Sequence, residues 1–205
     1  MRRYERATPG ELVHVDIKKL GNIPDGGGHR VTGRQAGQRH RTRTPGKTLD
    51  ANGNSHVGYG YLHNAVDDHS RLAYSEILLD EKKETAVAFW QRAQIFFAAN
   101  GITVERVLTD NGACYKSLLW RDTLAAVGIT HKRTRPYRRQ TNGKVERFNR
   151  TLLDEWAYAR PYRSETERRE AFPRWLHTYN HHRSHTALSG HPPISRVNNP
   201  AGHYT

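Results

Sequence analysis

The chain has 205 residues, with 33 Lys and Arg against 20 Asp and Glu, a formal net charge of +13. A single cysteine, Cys114, excludes an intrachain disulfide framework and a multi-cysteine zinc site. Apolar runs such as Ala86–Trp90 are too short to span a bilayer, and the opening Met-Arg-Arg-Tyr-Glu-Arg lacks the apolar core of a signal peptide, which leaves a cytoplasmic protein whose charge suits a polyanion, nucleic acid before a membrane surface.

Glu11–Ile17 reads as a strand, with Val13, Val15 and Ile17 on one face by the period of two. Gly21–His56 follows, rich in Gly, Arg and Thr and almost without large apolar residues. It reads as a basic insertion or loose hairpin, with six basic and two acidic residues. Val57–Val66 and Leu72–Leu79 form the strands of an antiparallel hairpin, turned by Asp67-Asp68-His69-Ser70-Arg71. Lys82–Asn100 repeats Ala86, Phe89, Ala93, Phe96 and Phe97 at helical spacing and stops at Asn100-Gly101. Val104–Thr109 is a short strand, Lys116–Val127 a helix and Ile129–Arg133 a strand. Thr141–Ala159 is a helix with Val145, Phe148, Leu152 and Trp156 on one stripe. A last helix covers Ser164–His182, and the Pro-containing tail is irregular. The order predicts an α/β fold: a mixed five-stranded sheet, a three-strand meander plus two parallel strands, with helices on both faces.

Three carboxylates stand out. Asp16 interrupts an apolar strand, Asp110 ends another, and Glu146 lies on an amphipathic helix beside a polar loop. Singly, each reads as an ordinary hydrogen-bonded carboxylate. As a set they differ: if the two strands pair in parallel, both aspartates reach one end of the sheet, where open α/β sheets hold ligands, and the helix can bring Glu146 across. Carboxylates without His or Cys suit Mg²⁺ or Mn²⁺. Two such ions can activate an attacking oxygen and stabilise a leaving one, which in a basic chain points to phosphodiester chemistry.

Residues 111–145, thirty-five in number, separate Asp110 from Glu146. Around the carboxylates stand Pro9-Gly10-Glu11-Leu12-Val13-His14-Val15-Asp16, Val66-Asp67-Asp68-His69-Ser70-Arg71, Thr109-Asp110-Asn111-Gly112, Arg135-Pro136-Tyr137, Gln140–Asn149 and Tyr179–Leu188. With these blocks in order, the chain resembles the DDE transposases and retroviral integrases, and above all the integrase-core transposases of bacterial insertion sequences. The resemblance implies a ribonuclease-H-like fold. It also implies a transposase catalytic core in which Asp16 bridges two Mg²⁺ or Mn²⁺ ions and Asp110 and Glu146 each complete one. Water would cut a DNA end, and the freed 3′-hydroxyl would attack target DNA, with double-stranded DNA as partner and a homodimer or larger assembly. By the same resemblance, 1–10 is an N-terminal extension, 11–183 the catalytic domain with its insertion at 21–56, and 184–205 a C-terminal tail. His14 stands where the family often has Trp. The family's usual preceding helix-turn-helix is not among the first ten residues, so an isolated core or truncated copy is expected. The alternatives are a ribonuclease-H-like nuclease and a silent DNA-binding remnant.

DNA contacts are expected from Asn142, Lys144, Asn149 and Arg150 on the helix of Glu146, from Arg138 and Arg139 in the preceding loop, and from Arg30, Arg34, Arg39, Arg41 and Arg43 in the insertion. Asp67 and Asp68 suit a turn. His181, His182, His185 and His191 suit capping and packing of the last helix more than a metal, and Cys114 a helix start or core position.

Overall fold

The computed structural model describes residues 5–49, 55–134 and 142–197. Among the described residues the strands are β1 (Val13–Gly21), β2 (Thr48–Leu49), β3 (Ser55–His56), β4 (Tyr59–Asp67), β5 (Ala73–Leu78), β6 (Arg106–Thr109) and β7 (Thr130–Arg133). The helices are α1 (His29–Thr32), α2 (Arg34–Arg43), α3 (Lys83–Ala99), α4 (Leu118–Ala126), α5 (Gly143–Leu152), α6 (Glu165–Glu170) and α7 (Phe172–His181). Among the described residues no helix is long and apolar enough to cross a membrane.

The main sheet has the order β5-β4-β1-β6-β7. β1, β4 and β5 form the antiparallel meander, and β6 and β7 add in parallel on the far side of β1. Five strands in this mixed arrangement match the expectation. Because side chains alternate, β1, β4 and β5 each feed two cores. Val13, Val15 and Ala65 pack with Phe89, Trp90 and Phe97 of α3 and with Trp120 and Leu124 of α4. On the other face Leu62, Val66 and Ala73 pack with Val145, Phe148 and Leu152 of α5 and with Trp156 and Tyr179.

Phe148 is the centre of that second core. It is 1% exposed, and its ring meets Tyr179 at 4.9 Å and Trp175 at 5.8 Å. Phe148→Ala is expected to cost about 3–5 kcal/mol, read as a lower denaturant midpoint at unchanged slope.

Several boundaries differ from the sequence reading. β1 runs on to Gly21, pairing as far as Tyr59. Its charged Lys18-Lys19 breaks the apolar alternation without breaking the ladder, and Lys19 Nζ sits 4.2 Å above the Tyr59 ring. The insertion is folded, not loose: α1 and α2 pack together, and an added Cβ at Gly37 would lie 2.7 Å from the His29 backbone. Two polar helices joined by such a close approach carry no apolar periodicity. The final helix is two, α6 and α7, divided at Ala171, with Pro173 in the first turn of α7, where its missing N–H costs nothing. The helix expected over Thr141–Ala159 is α5, which ends at Leu152 and continues as a wider turn over Leu153–Ala157.

Candidate active site

Val15 pairs with Thr109 across the parallel β1–β6 ladder. The next residues along, Asp16 and Asp110, therefore turn to the opposite face, the one covered by α5. The turn after β6 is fixed by its own sequence: Asp110 Oδ1 accepts from the Gly112 amide at 2.8 Å. Asn111 Nδ2 donates to the Thr134 carbonyl at 2.9 Å, tying the ends of β6 and β7 together. Glu146 is exposed in the first turn of α5.

Asp16 feels both of the other carboxylates. Burial pushes its carboxyl up, the charge of Asp110 pushes it further and that of Glu146 adds to it. Hydrogen bonds from Asn149 and the Ile17 amide only partly offset this, and the result is a pKa of about 6 against an ordinary 3.8.

A buried polar ladder holds Asp16 in place. Ser75 Oγ donates to Asn64 Oδ1, Asn64 Nδ2 donates to Asn149 Oδ1 at 2.7 Å, and Asn149 Nδ2 donates to Asp16 Oδ2 at 2.7 Å. The register explains it, since Asp16 faces Asn64 and Asn64 faces Ser75 across neighbouring strands. A second link ties β1 to the start of α5: His14 Nδ1 lies 2.9 Å from Asn142 Oδ1, and Nε2 lies 2.8 Å from Asp68 Oδ1. Burial alone would raise the Asp68 carboxyl, but hydrogen bonds from His14 and the Arg6 amide outweigh it and hold it below the usual range.

Asn142 and Asn149 were expected on a DNA-facing surface, and the structure places both inside, 4% and 6% exposed. Helical spacing puts Asn149 beside Glu146 but does not say which side meets the sheet. The polar Asn64 and Asp16 in the strands make a buried amide favourable at that position. Asn64, Ser75 and His14 are the residues that sequence reasoning missed; their signal was a polar side chain inside an otherwise apolar strand. Lys144 is half-buried and Arg150 exposed on α5, while Arg138 and Arg139 lie outside the described residues. In the insertion Arg34, Arg39 and Arg43 are exposed. Arg30 stacks on Tyr158 at 5.0 Å and lines, with Arg41, a cavity of about 510 Å³ between the insertion and residues 157–162. Among the described residues no three His, Cys, Asp or Glu side chains form a ready-made metal cluster, the histidines near 181–185 included. Cys114 is buried, and burial pushes its thiol up to about 11.

The profile of the integrase core domain matches residues 6–139, and a second integrase core profile matches residues 127–193, which include Glu146. The chain belongs to the integrase core domain family. One curated relative is the Retrovirus-related Pol polyprotein from transposon TNT 1-94 of Nicotiana tabacum, 31% identical over 97 residues. That match takes in 47% of this chain and 7% of the polyprotein, so the integrase core described here is similar to a small part of that protein. Among solved structures, the chain is similar to one in the simian T-cell lymphotropic virus intasome with a PP2A regulatory subunit, with TM-score 0.66 and 19% identity over 98% of this chain and 58% of that one. It is also similar to the magnesium-bound HTLV-2 integrase catalytic core domain, with TM-score 0.59 and 15% identity over 94% and 99%. At these identities the likeness is one of fold, and it makes the mixed sheet of this integrase core ribonuclease-H-like.

Proposed function

We propose that this integrase core is a metal-dependent DNA strand transferase, a transposase catalytic core, with Asp16, Asp110 and Glu146 as ligands of two Mg²⁺ or Mn²⁺ ions. One observation carries the reading. Burial first, then the charges of Asp110 and Glu146, push the half-buried Asp16 carboxyl up to about 6, on the strand that α5 crosses with Glu146. Three hard oxygen donors that repel one another fit a divalent cation that keeps waters and phosphate oxygens as its other ligands. The bound ions would lower the pKa of an attacking water or 3′-hydroxyl and stabilise the leaving oxygen.

The chain's own side chains set the frame for that chemistry. Asn149 fixes one Asp16 oxygen and so the direction in which the carboxylate presents the other. His14 pins Asn142, and with it the first turn of α5 that bears Glu146. No protein nucleophile is needed: Cys114, the nearest thiol in sequence to Asp110, is held as a buried neutral group. The substrate is double-stranded DNA, both the end to be cut and the target, and the working unit is a dimer or larger, since two ends must be joined.

A pre-cut DNA end incubated with plasmid and Mg²⁺ or Mn²⁺ tests the reading. Joined product from the wild type, absent with Asp110→Asn, is expected. Cleavage without joining would make the protein a nuclease, and DNA binding without either would make it a silent remnant.

The insertion is proposed to track the DNA backbone. Replacing Arg30, Arg34, Arg39, Arg41 and Arg43 by Gln should lower the slope of log affinity against log salt by about 0.9 for each phosphate contact removed. An unchanged slope in a salt titration by fluorescence anisotropy would contradict that role.

A further inference from the structure

Two sequence blocks that the carboxylate chemistry does not use meet on the flank of α5. One is the hairpin turn Asp67–Arg71, the other the stretch Tyr179–His185. Together with α5 they enclose a cavity of about 280 Å³, lined by Arg71, Lys144, Arg147, Arg183 and His185 and by no carboxylate. On α5, Lys144 and Arg147 lie on one edge of the exposed arc and Glu146 on the other, by the helical turn of 3.6 residues. The cavity therefore lies along the edge of α5 away from Glu146.

The turn is built to present Arg71. Asp67 Oδ2 accepts from the Ser70 amide and hydroxyl, both at 2.7 Å, and its Oδ1 from the Gly10 amide at 2.8 Å. Arg71 is thereby held at φ +67°, uncommon for a residue with a side chain; backbone strain of this kind concentrates at functional sites. Arg71 is 8% exposed, and its Nη1 is buried without a hydrogen-bond partner. Its Nη2 lies 3.5 Å from Glu5. The other block is built as firmly. Asn180 bonds both the amide and the carbonyl of Ala73, Glu155 grips Arg183 through both oxygens, and His185 stands edge-on to Tyr179 at 4.9 Å. His185 Nε2 is also buried without a partner. Burial, then the Arg183 charge, press the imidazole down to about 4, so the cavity stays positive without it. Glu5 and Glu155 offset two of the cations. Arg147 remains exposed on the rim.

From this geometry we infer that the cavity is a phosphate subsite, holding one backbone phosphate of bound DNA on Arg71 and Arg147 and so fixing where the strand lies across α5 relative to Glu146. The inference rests on the proposed action on DNA. An unpaired buried guanidinium nitrogen suits a phosphate oxygen, and Arg offers it two donors in a fixed fork.

The test is a scan in which each phosphate of a bound DNA end is replaced in turn by a neutral methylphosphonate. In the wild type one position should weaken binding about tenfold or more. In Arg147→Ala, and in the charge-keeping Arg71→Lys, that position alone should lose its effect while every other position keeps it. A scan unchanged in Arg147→Ala overturns the subsite even if Arg71→Lys fails to fold. Inorganic phosphate that raises the melting temperature of the wild type but not of Arg147→Ala, with the DNA scan unchanged, would show a small-anion pocket and overturn the DNA assignment. Strand joining is scored on the same samples: joining without the phosphate coupling removes the subsite alone. Coupling without joining supports the subsite and removes the catalytic reading.

Discussion

Asp16→Asn should abolish Mg²⁺-dependent cleavage and joining while making the metal-free protein more stable at neutral pH. The loss of activity follows from the proposed bridging role. A metal ligand supports several kcal/mol of charge stabilisation in the transition state, so a fall of about a thousandfold or more is expected. The gain in stability follows from the cluster. In the fold the Asp16 carboxyl has its pKa raised to about 6 from 3.8. It therefore contributes stability that is fully present below about pH 4 and lost as the pH rises through about 6. Above that the ionised carboxylate sits half-buried beside Asp110 and Glu146, at a cost of about 1–3 kcal/mol. Asparagine carries no charge and its Oδ1 still accepts from Asn149, so the cost vanishes and the ladder survives. Thermal unfolding at pH 4 and pH 7 reads the effect. The wild type should lose more stability than the variant between the two, and added Mg²⁺ should restore it in the wild type only.

Asn149→Ala has the next largest expected effect, in the opposite direction for stability. It leaves the Asn64 amide and one Asp16 oxygen without their partners inside the protein. Leaving buried polar groups unsatisfied costs about 1–3 kcal/mol. Metal affinity or turnover should fall about 10–100-fold, the usual effect of losing a group that orients a ligand. Since the Asn149 hydrogen bond lowers the Asp16 pKa, its loss should move the acidic limb of the pH–rate profile, where activity rises as Asp16 ionises, to higher pH. Activity equal to wild type would mean that Asp16 needs no orientation from α5.

The strand order and the trio of carboxylates were legible because both rest on short-range signals: the period of two in β1 and β4, and a charge in an apolar run. The parallel pairing that sets Asp110 beside Asp16 also followed from the alternation of strand and helix. The ladder from Ser75 through Asn64 and Asn149 was not legible, because it depends on the register of three elements distant in sequence. Each of its residues alone looks like a polar residue misplaced in an apolar stretch. Asn142 and Asn149 were assigned to DNA for the same reason: helical spacing gives neighbours on the helix but not the polarity of the sheet beneath. The two helices of the insertion left no trace because they bury almost nothing, and Gly37, which lets them touch, reads as a helix breaker. His14, a departure from the family's usual Trp, is a buried hinge pin between β1, Asp68 and the start of α5.

In the proposed mechanism three carboxylates, not a protein nucleophile, drive strand transfer. Electrophoresis of a labelled pre-cut DNA end incubated with plasmid and Mn²⁺ measures it most directly, comparing wild type with Glu146→Gln, whose exposed side chain leaves the cores intact. Joined product with the wild type and none with Glu146→Gln is expected, with DNA binding equal in the two. Equal joining by both proteins would contradict it.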